Sequence, residues 1–206
     1  DVHAVITALD AAPVEMFASS GGAVTALALV AAYPDDVSTL VAHEPPLMAP
    51  LPDAEAAERA RNDVRDTYQA KGRGAGMAAF IAMTAWQGPY TDAYFAQPPA
   101  DPAMFGLPSE DDGSRDDPLL TDRSFAVTSY QPDLDALAAA PTRVVIAVGE
   151  ESGDSFTGRS SRAIAELLGQ QATVFPSHHG GFLDGEYGYP GQPEAFARKL
   201  REVLAG

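Results

Sequence analysis

The sequence predicts an α/β fold in which a doubly wound, mostly parallel sheet carries an inserted helical cap. Three observations lead there. Short apolar runs of strand length alternate with Ala- and Leu-rich helical stretches. A Ser-Ser-Gly-Gly turn joins the first strand directly to a helix, and residues 47–140 interrupt the alternation without any strand of buried character.

Taken in order, Val2, Val5, Ile6 and Leu9 recur at helical spacing, and Pro13 closes that segment. Val14 to Ala18 is a short apolar strand, and Ala23 to Tyr33 has the composition of a buried helix stopped by Pro34. Val37 to Ala42 is a second buried strand. It ends at His43-Glu44-Pro45-Pro46, where two prolines remove the donors that further ladder pairing needs. Helical patterns then run over Ala54 to Tyr68 and Met77 to Trp86, separated by Pro- and Asp-rich loops. Thr142 to Val148 is a β-branched strand, Ser160 to Leu168 an amphipathic helix closed by Gly169, and Ala172 to Phe175 the last strand. Glu194 to Leu204 is the final helix. The expected organisation is core over 1–46, cap over 47–140 and core again over 141–206.

Bulk properties exclude several functions. Thirteen Lys+Arg against 29 Asp+Glu give a formal charge of −16, which repels phosphate backbones and anionic headgroups. Neither nucleic acid nor membrane is an expected partner. No apolar run approaches the ~18 residues of a bilayer span, so the chain is expected to be soluble and cytoplasmic. With no cysteine, covalent catalysis must use a hydroxyl or a carboxylate.

In Ala18-Ser19-Ser20-Gly21-Gly22 a serine stands among small residues at the tip of a strand-turn-helix, close to the G-x-S-x-G elbow but with Ala first. Such a turn strains the serine backbone and brings strand and helix together, so bulky flanking residues would clash. The Gly21 N–H, opening the helix, is a candidate oxyanion donor. A plain helix cap is the competing reading of the pentapeptide, and the surrounding strand and helix favour the elbow. Phosphate-loop signatures are absent.

Histidine enters in Phe175-Pro176-Ser177-His178-His179-Gly180-Gly181-Phe182, a loop at the carboxyl edge of the sheet, where a general base is needed. The two glycines after His179 free the backbone to aim that ring inward, which favours it over His178. Two adjacent histidines rarely share one metal, and no zinc motif is present, so no metal or organic cofactor is expected. Three places offer an orienting carboxylate: Glu44, the pair Glu150 and Glu151, and Asp154. Glu44, projecting from a strand end fixed by two prolines, is the first candidate, with Glu151 in reserve.

On these segments, together with Leu40-Val41-Ala42-His43-Glu44-Pro45-Pro46 and Val148-Gly149-Glu150-Glu151-Ser152, the chain resembles the α/β-hydrolase superfamily, more narrowly its cap-bearing esterase-like members of actinobacterial type. The resemblance implies a Ser20–His179–Glu44 triad. Most members carry the acid in a G-x-x-D pattern after the third of these strands, where this chain has Ser152. Some relatives, certain haloalkane dehalogenases among them, carry a glutamate where Glu44 stands. Their nucleophile is Asp, so Ser20 points instead to acyl chemistry.

The resemblance also implies strands ahead of the nucleophile and a loop supplying the second oxyanion donor. This sequence opens at Asp1, one helix before the elbow, so the N-terminal part of the sheet is expected from a complementary segment, as a separate chain or a lost fragment. A second copy of the chain is a further candidate partner. The expected activity is cleavage of a carboxylic ester or lactone of an apolar small molecule. Phe80, Trp86 and Tyr90 are expected to wall the pocket, with Tyr94, Phe95 and Phe105 nearby. Alternatives are a C–C bond hydrolase or thioesterase on the same triad, or a non-catalytic ligand receptor.

Overall fold

Four parallel strands in sequential order form the centre of the computed structural model, which describes residues 1–185 and 189–206. They are β1 (Val14–Ser19), β2 (Val37–His43), β3 (Arg143–Gly149) and β4 (Thr173–Phe175). In β2, Leu40 and Ala42 enter a core under helix α2 (Gly21–Ala32), while Val41 enters the core on the opposite face with Phe175 and Phe196. A parallel strand covered on both faces needs consecutive apolar residues, which Leu40, Val41 and Ala42 supply in β2 and Val144 to Val148 in β3. Full burial of Leu27, Leu40 and Ile146 is worth ~1.5–3 kcal/mol each. Among the described residues β1 pairs only with β2, so its other side is an open edge.

The remaining helices follow the expected alternation. Helix α1 (Val2–Ala8) is fastened by His3, whose Nδ1 lies 2.7 Å from Asp36 Oδ2 and whose ring stacks on Tyr33. Between β2 and β3 run α3 (Ala54–Ala85), α4 (Asp92–Phe95), a 3-10 turn (Pro102–Phe105), α5 (Asp122–Thr128) and α6 (Leu134–Ala139). Helices α7 (Phe156–Leu167) and α8 (Pro193–Leu204) complete the chain.

The two helices expected over 54–86 meet at a kink at Gly72 within α3, where a φ of 83° lies in the left-handed region and interrupts the helical backbone. The Asp111 side chain presses against that glycine where a Cβ would project. Inside the insertion Met48, Ala60, Tyr68, Met83 and Tyr90 build a core of their own, which reaches the sheet layer through Phe156. Among the described residues no helix is long and apolar enough to cross a membrane.

Candidate active site

β1 ends at Ser19, and the next residue departs sharply from both strand and helix geometry. Ser20 has φ 55° and ψ −131°, a conformation costing ~1–3 kcal/mol in a residue with a side chain. The surrounding backbone holds it there. Its N–H donates to His43 O at 2.9 Å, extending the β1–β2 ladder, and its carbonyl accepts from Ala23 N at 2.9 Å, starting α2. Gly21, as first residue of α2, has an N–H for which the helix offers no acceptor.

The crowding expected around this turn is absent at one flank. A Cβ on Gly22 would find nothing within 4 Å, and one on Gly21 would meet Val127 Cγ1 at an ordinary 3.4 Å. Neither glycine is required by contact with the described residues.

Glu44, the residue after β2, also has positive φ, at 49°. Its N–H donates to Ala147 O at 3.0 Å, and the exit of the chain is secured by Ser160, whose hydroxyl donates to Pro45 O and accepts from Leu47 N. The carboxylate is fully buried. It accepts from Gly149 N at 2.9 Å on Oε1, and from Thr157 Oγ1 at 2.7 Å and His179 Nδ1 at 2.6 Å on Oε2. Burial pushes this carboxyl up, but the hydrogen bonds and charge of His179, with Thr157, outweigh it and hold the group at about 2, so it is ionised. A buried carboxylate is tolerable when its lone pairs are filled in this way.

The histidine loop is fixed by pairing with the loop after β3. Glu150 and Glu151 N–H donate to Phe175 O and Ser177 O, and Gly149 is packed so that a Cβ would lie 2.6 Å from Ser177 O. His178 and His179 then take different tasks. His178 Nδ1 accepts from Gly180 N at 3.0 Å, so Nε2 carries its proton and meets Pro190 O at 3.2 Å, while the ring packs on Tyr189. That ring ties the loop together. His179 gives Nδ1–H to Glu44, so Nε2 is the ring nitrogen left free of the carboxylate, and its side chain remains 43% exposed.

Ser20, Gly21 and His179 line one mostly apolar cavity of about 920 Å³. Among the described residues no hydrogen bond joins the Ser20 hydroxyl to His179. Glu151 also lines this cavity, but its carboxylate accepts from Gln192 Nε2 at 3.1 Å rather than from either histidine.

Of the three aromatics expected in the pocket, Phe80 lines the cavity and two are elsewhere. Tyr90 is buried in the core of the insertion, its hydroxyl donating to Met83 O and its N–H to Asp53. Trp86 donates to Pro89 O and packs edge-on against Tyr94. Both are needed to fill the space between α3 and α4, and that demand outcompetes the pocket.

Sequence reasoning gave His43 no role. Its ring is fully buried among Phe17, Phe175, Phe182 and Phe196, stacks at 6.2 Å on His179, and shares a 3.2 Å hydrogen bond between Nδ1 and Ser19 Oγ. Nε2 has no partner among the described residues. Burial, opposed by Glu44 and reinforced by His179, pushes its pKa down to about 4, so the ring is neutral at pH 7. Its position immediately before Glu44 was the available signal. Thr157 offered none, because its role depends on where α7 begins relative to β2.

No protein-family description matches the chain, and no curated protein matches it. Among solved structures it is similar to Rv0554 from Mycobacterium tuberculosis, with 19% identity and a TM-score of 0.63 over 100% of this chain and 70% of that one. It is also similar to BpoC from the H37Rv strain of the same organism, provisionally named a non-heme bromoperoxidase, with 19% identity and a TM-score of 0.60 over 100% of this chain and 71% of that one. The sequential parallel sheet, the helices on both its faces and these likenesses give the chain an α/β-hydrolase-like fold.

Proposed function

We propose that the chain is the catalytic part of a serine hydrolase that cleaves a carboxylic ester or lactone of an apolar small molecule through an acyl-enzyme. Ser20 is the nucleophile, His179 the general base, Glu44 the acid and Gly21 N–H an oxyanion donor. One observation carries the reading: a buried, ionised glutamate grips Nδ1 of a histidine that opens onto the same cavity as a serine held at positive φ.

In the proposed reaction Ser20 Oγ attacks the carbonyl carbon as its proton passes to His179 Nε2. The oxyanion collapses, the bond to the leaving oxygen breaks, and that oxygen takes the proton from His179. Water then adds to the acyl carbon, giving a proton to Nε2. Collapse of this second adduct returns the proton to Ser20 and frees the acid. Glu44 stabilises the imidazolium in both halves without itself accepting a proton.

A complementary N-terminal segment belongs to the same proposal. It would pair with the open edge of β1 and bring a second oxyanion donor, and residues 47–140 would serve as the cap. Intact mass and native sizing of the purified protein test the segment, since a lone, monodisperse and active 206-residue species would refute it. The chemistry is tested with a fluorophosphonate probe and peptide mapping. An adduct on Ser20, lost in Ser20→Ala, is expected; an unlabelled Ser20 in the complete assembly would remove the proposal.

A further inference from the structure

The cavity is lined by a cation that no acid pairs with among the described residues. Arg123 lines it from α5, and among the described residues its guanidinium makes no hydrogen bond, ion pair or ring contact. This is unusual in a chain with 29 acidic residues. The nearest acids in sequence are already committed: Asp122 pairs with Arg65 at 3.1 Å, and Asp117 pairs with Arg73 at 2.9 Å and accepts from Leu119 N. Glu151, the acid that lines the cavity, accepts from Gln192. Arg123 is exposed on the lining of a mostly apolar cleft, so its guanidinium is open to an approaching anion.

Its place relative to the nucleophile is set by helix geometry. Val127, also lining the cavity, is the α5 residue nearest to Gly21, with Cγ1 at 3.4 Å from where a Cβ would stand. Arg123 lies four residues earlier on the same helix, hence on the same face and ~6 Å away along the axis. The cavity lining is mostly apolar, and Ser124 also belongs to it. Gly21 N–H marks where an acyl oxygen would sit, so α5 leads away from the acyl carbon towards Arg123.

We infer that Arg123 selects substrates whose acyl group ends in a carboxylate, that is, monoesters of dicarboxylic acids of intermediate length. This rests on the serine hydrolase reading above and names its substrate class. The guanidinium fits a terminal carboxylate in a bidentate fork, while the apolar wall takes the methylenes between.

The test compares kcat/KM for mono-4-nitrophenyl glutarate and 4-nitrophenyl butyrate, with calorimetric binding of glutarate as a second readout. The glutarate ester is expected to be preferred about tenfold despite the net charge of −16, with the preference shrinking as salt is added. Arg123→Gln should abolish the preference and glutarate binding together, and Arg123→Lys should restore part of each. Turnover of both esters with a ratio unchanged in Arg123→Gln would overturn the Arg123 assignment and leave the hydrolase standing. Turnover of neither ester, with glutarate binding still lost in Arg123→Gln, would overturn the hydrolase and leave the anion site.

Discussion

The rim of the sheet and the helical insertion between β2 and β3 use residues in opposite ways. At the rim, backbone geometry decides. Ser20, Glu44 and Ser177 all have positive φ, and each stands directly after a strand or in the loop that follows one. Parallel register then brings those strand ends together: Ser19 opposite His43, His43 opposite Ala147, Gly149 opposite Phe175. In the insertion, by contrast, side-chain volume decides, and Tyr68, Met83 and Tyr90 fill a core that touches the cavity at Met83. Polar chemistry therefore collects where the backbone is strained and over-determined, and the insertion contributes a wall.

The sharpest way to break this contrast is at the carboxylate. Glu44→Gln should lower kcat by ~10³-fold or more, because the amide no longer fixes the tautomer of His179 or balances its charge. Glu151→Gln, on the same cavity but bonded to Gln192, should cost little. A Glu44→Gln loss as small as that of Glu151→Gln, measured on one ester substrate, would mean that the buried hydrogen bonds of Glu44 do not matter to the chemistry.

Acid should undo the rim first. His43 is held neutral with a lowered pKa, so its contribution is present above pH 6.5 and is lost as pH falls towards 4, by about 3 kcal/mol in all. The contribution of Glu44 follows the same sign at lower pH, present above 4.5 and lost on approach to 2. Urea unfolding at a series of pH values should show stability falling from pH 6.5 downward, and His43→Phe should remove the first part of that decline. A His43→Phe profile identical to wild type would contradict the buried, neutral ring.

Glycine substitutions sharpen the contrast at smaller scale. Gly149→Ala forces a methyl group against the Ser177 carbonyl and should destabilise by ~1–3 kcal/mol. Gly22→Ala meets open space in a helix and should stay within ~1 kcal/mol of wild type or gain stability. Thermal unfolding of the two variants checks the pair. Least in size, Phe80→Ala should raise KM a few-fold on an apolar ester with little change in kcat, whereas Trp86→Ala should lower the melting temperature without that KM effect. A KM rise confined to Trp86→Ala would reverse the assignment of these two aromatics.

Much of the rim was legible beforehand, for local reasons. The turn at Ser20 follows from small residues between an apolar strand and an apolar helix, and the two glycines beside His179 mark a loop free to aim a ring. Glu44 was chosen because two prolines end β2 there, and that position is where its carboxylate meets His179. The pocket was less legible. Aromatic composition does not tell a cavity wall from a packed interior, and Phe80, Trp86 and Tyr90 look alike in sequence although only Phe80 lines the cavity. Arg123 gave no signal, since a free guanidinium is recognised only when the acids around it are seen to be paired.

By itself the sequence determined the order and type of the sheet elements and their flanking helices, the strand-turn-helix at Ser20 and the histidine loop, because periodicity, proline and glycine act over a few residues. Only the tertiary structure decided that the carboxylate facing His179 is that of Glu44 and not Glu151, that Thr157 and Gly149 share it, and that His43 is sealed beneath them. Those choices depend on the ends of β2, β3 and β4 meeting in register across more than a hundred residues, and no local pattern encodes that alignment.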